Sequence, residues 1–286
     1  MKYVLMNPRA NNGLGESDAR EWAKCLNEEV TYVNVLETKD MASFVKGLNP
    51  EDVIIVAGGD GTLNHFANDV AELNVKNEMY YVKSGSGNDF YRDNKEHCNE
   101  YGMIPLNKFL VNLPIVHVNG ISRRFLNGIG YGLDGEACRI GEEMRGNTKK
   151  KINYSAIAVK GLLGAYKLKE ATITCDGESH EFKNVWLAPT MKGRYYGGGL
   201  MVTPNQDRFD PENKVSVCCI HKKSRIVTLL RFPSLNKGEH IKKTDWCSTY
   251  VGKKIEVKFT TPCALQIDGE VVKNVTSYTV EVPEVK

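Results

Sequence analysis

Apolar and polar positions alternate in two different styles along this chain, and the change of style predicts two domains. In the first third, short apolar runs are separated by stretches with a helical apolar period. "YVLMN", "TYVNVLE", "DVIIVAGG" and "MYYVKSG" read as strands, and "GESDAREWAKCLNEE", "KDMASFVKGL" and "TLNHFANDVAEL" as helices. Strands alternating with helices predict a parallel sheet with helices on its faces. In such sheets ligands sit beyond the carboxyl ends of the strands.

Near Leu113 the pattern shortens. "IVHVN", "RRFLNGIGYG", "ATITCD", "NVWLAPT", "LMVTP", "KVSVCCI", "KIEVKF", "CALQID" and "SYTVEV" are strand-like runs split by turn residues, as in an antiparallel sandwich or barrel. Two helical stretches interrupt them, residues 150–169 and "KSRIVTLLRF". The fold class that follows is an N-terminal α/β domain with a parallel sheet and an all-β C-terminal sandwich. The first domain covers 1–113, with 276–286 free to return to it, and the second covers 114–275. A cleft is expected between them.

Composition narrows the function classes. The 286 residues are 41% hydrophobic and 26% charged, which suits a folded globular chain. A formal net charge of +3 gives no argument for nucleic acid as a partner. The eight cysteines show no CxxC spacing, and the adjacent Cys218 and Cys219 point to opposite faces of a strand. All eight read as reduced packing residues of a cytoplasmic protein. No stretch approaches the roughly 18 apolar residues of a transmembrane segment. Homodimer formation is left open.

Chemistry concentrates in "GGDGTLN". A loop between a strand end and a helix start presents free N–H groups, and Gly58, Gly59 and Gly61 let those groups approach a ligand closely. That geometry suits phosphate. Asp60 would repel phosphate unless a cation lies between them, so its presence implies Mg²⁺ or a hydroxyl to be activated. Thr62 and Asn64 add side-chain hydrogen bonds. The plainer alternative is an Asp-Gly turn with a threonine N-cap. Two further polar glycine loops follow predicted strands of the same sheet: "NPRANNGLG" from Asn7 and Pro8, and "SGSGNDF", with Gly85, Ser86, Asn88 and Asp89. Each is weak alone. Together they would converge on one anionic ligand.

These motifs resemble the diacylglycerol kinase catalytic-domain family of soluble lipid kinases, which is related to the sphingosine and NAD kinases. The resemblance runs nearly end to end. It rests on the loop Asn7–Gly15, Thr38 after the second strand, "GGDGTLN", Gly85–Phe90, "FLNGIGYGLDGE", "GGGLMVTP" and the late "DGE" at Asp268–Glu270. It implies ATP-dependent phosphorylation of a lipid hydroxyl, with ATP and Mg²⁺ on the α/β domain and the lipid, taken from a membrane surface, in the cleft. Diacylglycerol or a related lipid is the implied substrate. Asn7, Pro8, Thr38, Gly58, Gly59, Gly61, Thr62, Asn64, Gly85, Ser86 and Asn88 would hold the nucleotide. Glu270 would accept the hydroxyl proton, the role a kinase acting on an alcohol requires, and Asp60 and Asp89 would support the metal and its network. An Asp-Gly hairpin turn is compatible with that role for Glu270. A second Asp-Gly-Glu, ending at Glu178, reads as a hairpin only.

The chain departs from the family pattern at several places. Lys83 stands where proline is usual, and could meet phosphate or face solvent. His117 stands where many bacterial members carry aspartate, and reads as structural. In "QDRFDPENKVSV" the expected Asp-Gly core of a second metal site is replaced by Glu212-Asn213, so Glu212 is a weak metal candidate beside Asp207 and Asp210. Basic clusters in "RGNTKKKINY" and "HKKSR" read as solvated faces or as a patch for anionic headgroups. An NAD kinase and a nucleotide-binding protein without catalysis are the alternative functions.

Overall fold

The computed structural model describes residues 1–84, 88–147 and 154–284. The chain divides into two units, Met1–Val111 and Asn112–Lys286.

The first unit is α/β. Its elements are β1 (Lys2–Met6), the short helical turn α1 (Ala10–Gly13), α2 (Gly15–Ala23), β2 (Thr31–Asn34), α3 (Met41–Lys46), β3 (Val53–Gly58), α4 (Asp60–Val70), β4 (Glu78–Lys83), α5 (Asp89–Asn94) and β5 (Ile104–Pro105). The strand order is β2-β1-β3-β4-β5. The first four strands are parallel, and β5 pairs antiparallel at the edge. β3 lies at the centre. Ile54, Ile55 and Val56 are fully buried, because helices cover both faces of a parallel sheet. Val4, Met6, Ile55 and Val82 form the core with Ala19 and Leu26 from the α2 side.

Register decides where the loops emerge. Met6 pairs with both Asn34 and Ala57, and Gly58 pairs with Lys83. The segments starting at Asn7, Val35, Gly59 and Ser84 therefore leave one edge of the sheet, at the carboxyl ends of its strands.

The second unit is an antiparallel β sandwich. It contains β6 (Ile115–Val118), β7 (Ile121–Arg124), β8 (Gly128–Tyr131), α6 (Leu133–Asn147), α7 (Tyr154–Lys160), β9 (Lys169–Cys175), β10 (Glu178–Val185), β11 (Thr190–Met191), β12 (Tyr195–Tyr196), β13 (Leu200–Met201), β14 (Val215–Ile220), α8 (Arg225–Arg231), β15 (Cys247–Gly252), β16 (Lys254–Ile267) and β17 (Glu270–Glu281). The main path runs β15-β14-β11-β8-β16-β17-β6-β7, with β9 pairing β16 and β10. "KIEVKF" and "CALQID", two separate runs in the sequence, form the single strand β16; its pairing with β17 shifts register between Lys258 and Cys263. Residues 276–281 belong to β17 and pair with β16 and β6, so they stay in the second unit.

Helix α6 is absent from the sequence expectation. Its glycines lower helix propensity, but one of them is needed by the packing. A Cβ on Gly135 would lie 2.1 Å from the Ala264 carbonyl oxygen, so only glycine lets α6 lie this close to β16. Glu136 secures the crossing by accepting the Ala264 N–H at 2.8 Å. Of the expected helix over 150–169, residues 150–153 lie outside the described residues, Tyr154–Lys160 is α-helical, Gly161–Ala165 continues it as a π-helical turn, and β9 begins at Lys169.

Candidate functional site

In the first unit Asn7 donates from Nδ2 to Thr62 Oγ1 at 2.9 Å, joining the first loop to the first turn of α4. The Arg9 N–H donates back to Asn7 Oδ1 at 3.0 Å, around the turn containing Pro8. Gly58 faces the same threonine: a Cβ there would lie 2.6 Å from Thr62 Cβ. Thr38 donates to the Asn34 carbonyl at 3.0 Å. Asn7, Thr38 and Thr62 line one cavity of about 490 Å³, within the roughly 300–1,000 Å³ of small-molecule sites. His65, Asp69 and Lys39 also line it, and sequence reasoning passed over all three. His65 and Asp69 follow Thr62 at helical spacing on α4, a signal that was available.

Asp60 begins α4, and its carboxylate reaches the next loop. Oδ2 accepts the Asp89 N–H and Oδ1 the Phe90 N–H, each at 2.9 Å. These are the first amides of α5, whose positive end favours a carboxylate. Asp60 is thus an anchor between the second and third glycine loops, and hydrogen bonding from fixed amides stabilises its charge. A carboxylate oxygen can accept from more than one partner, so a carboxylate at this place is chemically suited to a cation. Asp89 is itself buried.

Tyr81 ties the same loops from below. Its hydroxyl donates to the Gly58 carbonyl at 2.8 Å and lies 2.7 Å from Asn88 Oδ1. Burial, reinforced by the Asp60 and Asp89 charges, raises the Tyr81 pKa well above that of a free tyrosine, so the hydroxyl keeps its proton. Ser84 donates to Asp18 at 2.8 Å, and Asn11 donates to the same Asp18 oxygen at 2.9 Å. Asp18 on α2 therefore links the first loop to the third. Its helical position gave no hint of that role.

Other candidates fall elsewhere. Gly59 is the residue before α4, and Gly61 lies in its first turn. Asn64 is fully buried and accepts from Asn68, so it supports α4 from within. Gly85 and Ser86 lie outside the described residues, as does the lysine run of "RGNTKKKINY". Lys83 extends over the Tyr91 ring, 4.6 Å from its centroid.

In the second unit the late Asp-Gly is a hairpin turn between β16 and β17, with Asp268 and Gly269 at φ 46° and 98°. Ile267 pairs with Glu270, which is half-buried at the start of β17. Asp268 is buried and accepts the N–H groups of Leu126, Asn127 and Gly128 at 2.6, 2.9 and 2.9 Å. Arg208 grips the same segment through the Leu126 carbonyl and the Asn127 side chain. The loop preceding β8 is therefore fixed against the turn that carries Glu270.

Asp134, in the first turn of α6, escaped sequence reasoning. Both of its carboxylate oxygens are shielded from solvent and without a hydrogen-bond partner, as are the hydroxyls of Tyr166 and Tyr196. Burial pushes the Asp134 pKa up to about 7, against the opposing pull of nearby backbone and of Tyr196. A Cβ on Gly130 would lie 1.7 Å from Asp134 Oδ2, so the glycine of "GIGYG" makes the space for this carboxylate. Buried polar atoms of this kind are satisfied by ordered water or by a polar ligand.

Glu212, the candidate for a second metal site, sits among lysines. That side chain is exposed and pairs with Lys214 and with Lys253 at 3.7 Å. Asp210 accepts the Glu212 N–H at 2.9 Å, and Asp207 accepts the Phe209 N–H at 2.8 Å. Buried Lys192 donates to Asn213 at 2.7 Å. Burial and nearby Arg208 lower its pKa to about 8. Lysines therefore contact Glu212 and Asn213. His117 is exposed, with Nδ1 2.8 Å from Ser122 Oγ and Nε2 3.9 Å from Glu281. Glu178 is exposed beside His180, in a second Asp-Gly hairpin.

Comparison with known proteins places this geometry. Residues 2–102 match the diacylglycerol kinase catalytic domain, and residues 127–285 match the YegS C-terminal NAD kinase beta sandwich-like domain. The chain belongs to the diacylglycerol kinase catalytic-domain family. It is 25% identical over 275 residues to a candidate lipid kinase of Staphylococcus epidermidis, covering 91% of this chain and 85% of that one. It is 24% identical over 220 residues to a diacylglycerol kinase of Mycobacterium tuberculosis, covering 72% and 67%. The crystal structure of a candidate diacylglycerol kinase from Bacillus anthracis superposes with a TM-score of 0.68 at 18% identity, covering 99% and 94%. That likeness shows the shared fold.

Proposed function

We propose that the protein is an ATP-dependent lipid kinase that transfers the γ-phosphoryl group to a lipid hydroxyl, with diacylglycerol or a related lipid as acceptor. The observation that carries this reading is the single-edge convergence of three polar loops around Asp60, beside a cavity lined by Asn7, Thr38 and Thr62. Amides and hydroxyls at a sheet's carboxyl edge suit a polyphosphate. The family membership and the lipid kinase names of the relatives agree with it.

The residues divide the work. Asn7, Thr38 and Thr62 bind the nucleotide, with the amides of Gly58–Gly61 directed at its phosphates. Asp60 fixes the loop that begins α5. Mg²⁺, when bound, would be held by Asp60 with support from Asp89 and would neutralise phosphate charge. Glu270 accepts the acceptor hydroxyl proton as its oxygen bonds to the γ-phosphorus and the bond to the ADP oxygen breaks. Asp134, Tyr166 and Tyr196 offer hydrogen bonds to the polar head of the lipid. Exposed Leu163, Ile226 and Leu230 provide apolar contact with a membrane surface. Among the described residues no helix is long and apolar enough to cross a membrane.

The test is incubation of the purified protein with γ-labelled ATP, Mg²⁺ and a bacterial lipid extract, with NAD offered in parallel. A labelled phospholipid product is expected, and Asp60→Ala and Glu270→Gln should abolish it. Label in NADP instead would replace the lipid reading with an NAD kinase. Nucleotide binding without transfer to either acceptor would reduce the protein to a binding module.

A further inference from the structure

Cys218 lies in β14 and Cys247 opens β15, while His240 sits in the short turn Glu239–Lys242 between them. The antiparallel register pairs Cys218 with Thr249 and Ile220 with Cys247. The two cysteines are therefore diagonal neighbours on one face of the sheet. Their Sγ atoms are 3.6 Å apart. Two thiolates on one tetrahedral zinc, each at about 2.3 Å, lie roughly 3.8 Å from each other. The ligand atoms of Cys218, His240 and Cys247 all fall within 4.8 Å of one another, and all three residues are buried.

His240 supplies the second, independent observation. Its Nε2 is 2.9 Å from the Val202 carbonyl oxygen. A carbonyl only accepts, so Nε2 carries the ring proton and Nδ1 keeps a lone pair. That Nδ1 is buried and has no hydrogen-bond partner. The Ser234 carbonyl lies near the ring and accepts the Gly238 N–H. A ring held by a carbonyl at one nitrogen, with the other bare, is how metal-ligating histidines are oriented.

We propose that Cys218, His240 and Cys247 form a zinc site inside the second unit. Sulfur and imidazole donors select a borderline or soft cation rather than Mg²⁺ or Ca²⁺. Two thiolates and one Zn²⁺ sum to zero, whereas Cu⁺ would leave a net negative charge among Ile220, Leu235 and Trp246. On binding, each thiol releases its proton to solvent as its sulfur bonds to the metal. Three protein ligands leave a fourth position for a small exogenous ligand. The ion joins β14, β15 and the turn between them. This role is independent of the kinase reading, and the zinc can be measured without any substrate.

The experiment uses the full chain, purified under reducing conditions without chelator. Elemental analysis should find zinc at one equivalent per chain. After metal removal, Co²⁺ should restore one equivalent and give a thiolate-to-cobalt charge-transfer band. Cys218→Ser, Cys247→Ser and His240→Asn should each lose the band, and Cys25→Ser, at an exposed cysteine, should keep it. If a variant fails to fold, stoichiometry and the cobalt spectrum of the unaltered chain decide the question alone. Folded protein that takes up neither zinc nor cobalt overturns the proposal. So does peptide mapping that finds a Cys218–Cys247 disulfide in protein never exposed to oxidant.

Discussion

Single carboxylates in this protein hold loops together by accepting backbone amides. Asp60 joins α4 to α5, and Asp268 fixes the loop before β8. Removing a buried acceptor leaves its donors unsatisfied, at about 1–3 kcal/mol for each group. Asp268→Ala orphans three amides and should lower the free energy of unfolding by about 3 kcal/mol or more, measured by urea denaturation. Asp60→Ala orphans two amides and should cost about 2 kcal/mol or more and remove phosphoryl transfer. Transfer at the unaltered rate in a folded Asp60→Ala protein would show that the anchor is dispensable to the chemistry. Asp134 is the opposite case, a carboxylate on which burial outweighs the pull of nearby backbone. Its pKa in the folded protein, about 7, lies above the ordinary carboxylate value of 3.8. The folded state therefore binds the proton more tightly, and stability falls as pH rises from about 4 to about 7, then levels off. Asp134→Asn, which cannot ionise, should escape that fall. The difference between the two proteins should approach about 4 kcal/mol at its upper limit above pH 7, read from thermal denaturation across pH. A constant difference from pH 4 to pH 8 would contradict the assigned burial.

At the scale of elements, periodicity predicted most of the first unit because each strand and helix there carries its own pattern. Val53–Gly58 and Asp60–Val70 were legible as an apolar run followed by a helical stripe. The second unit was less legible. β16 read as two strands because the stretch around Thr260–Pro262 breaks the alternation, yet tertiary pairing carries the chain through it. α6 was missed because glycine is a poor helix former, while Gly135 is required by contact with β16. Helix α8 exposes Ile226 and Leu230 at 72% and 75%, and Arg225 binds the carbonyls of Gly161, Leu162 and Tyr166, beside exposed Leu163. Replacing both Ile226 and Leu230 with aspartate should reduce co-sedimentation with anionic liposomes severalfold. It should leave the melting temperature nearly unchanged, since neither side chain is buried. Undiminished sedimentation would remove this helix from the membrane contact.

At the scale of the whole molecule, the two units should respond to different ligands. Hydrogen exchange with an ATP analogue should slow at the amides of 7–15, 57–66 and 84–90, in the first unit. Exchange with zinc should slow at 215–220 and 239–252, in the second. Protection of one unit by the other's ligand would show coupling that the separate sites do not require. The sequence by itself determined the α/β-then-β order, the glycine loops and Asp60 at their centre. Those features depend on neighbours a few residues apart, where backbone sterics and side-chain period act directly. Tertiary structure alone decided that Asp60 caps α5, that Asp18 spans two loops, and that the Asp134 carboxylate is shielded from solvent. It also decided that Cys218, His240 and Cys247 meet. Contacts between residues far apart in the chain depend on strand register and packing, and no local pattern encodes which distant atoms will share a few ångströms of space.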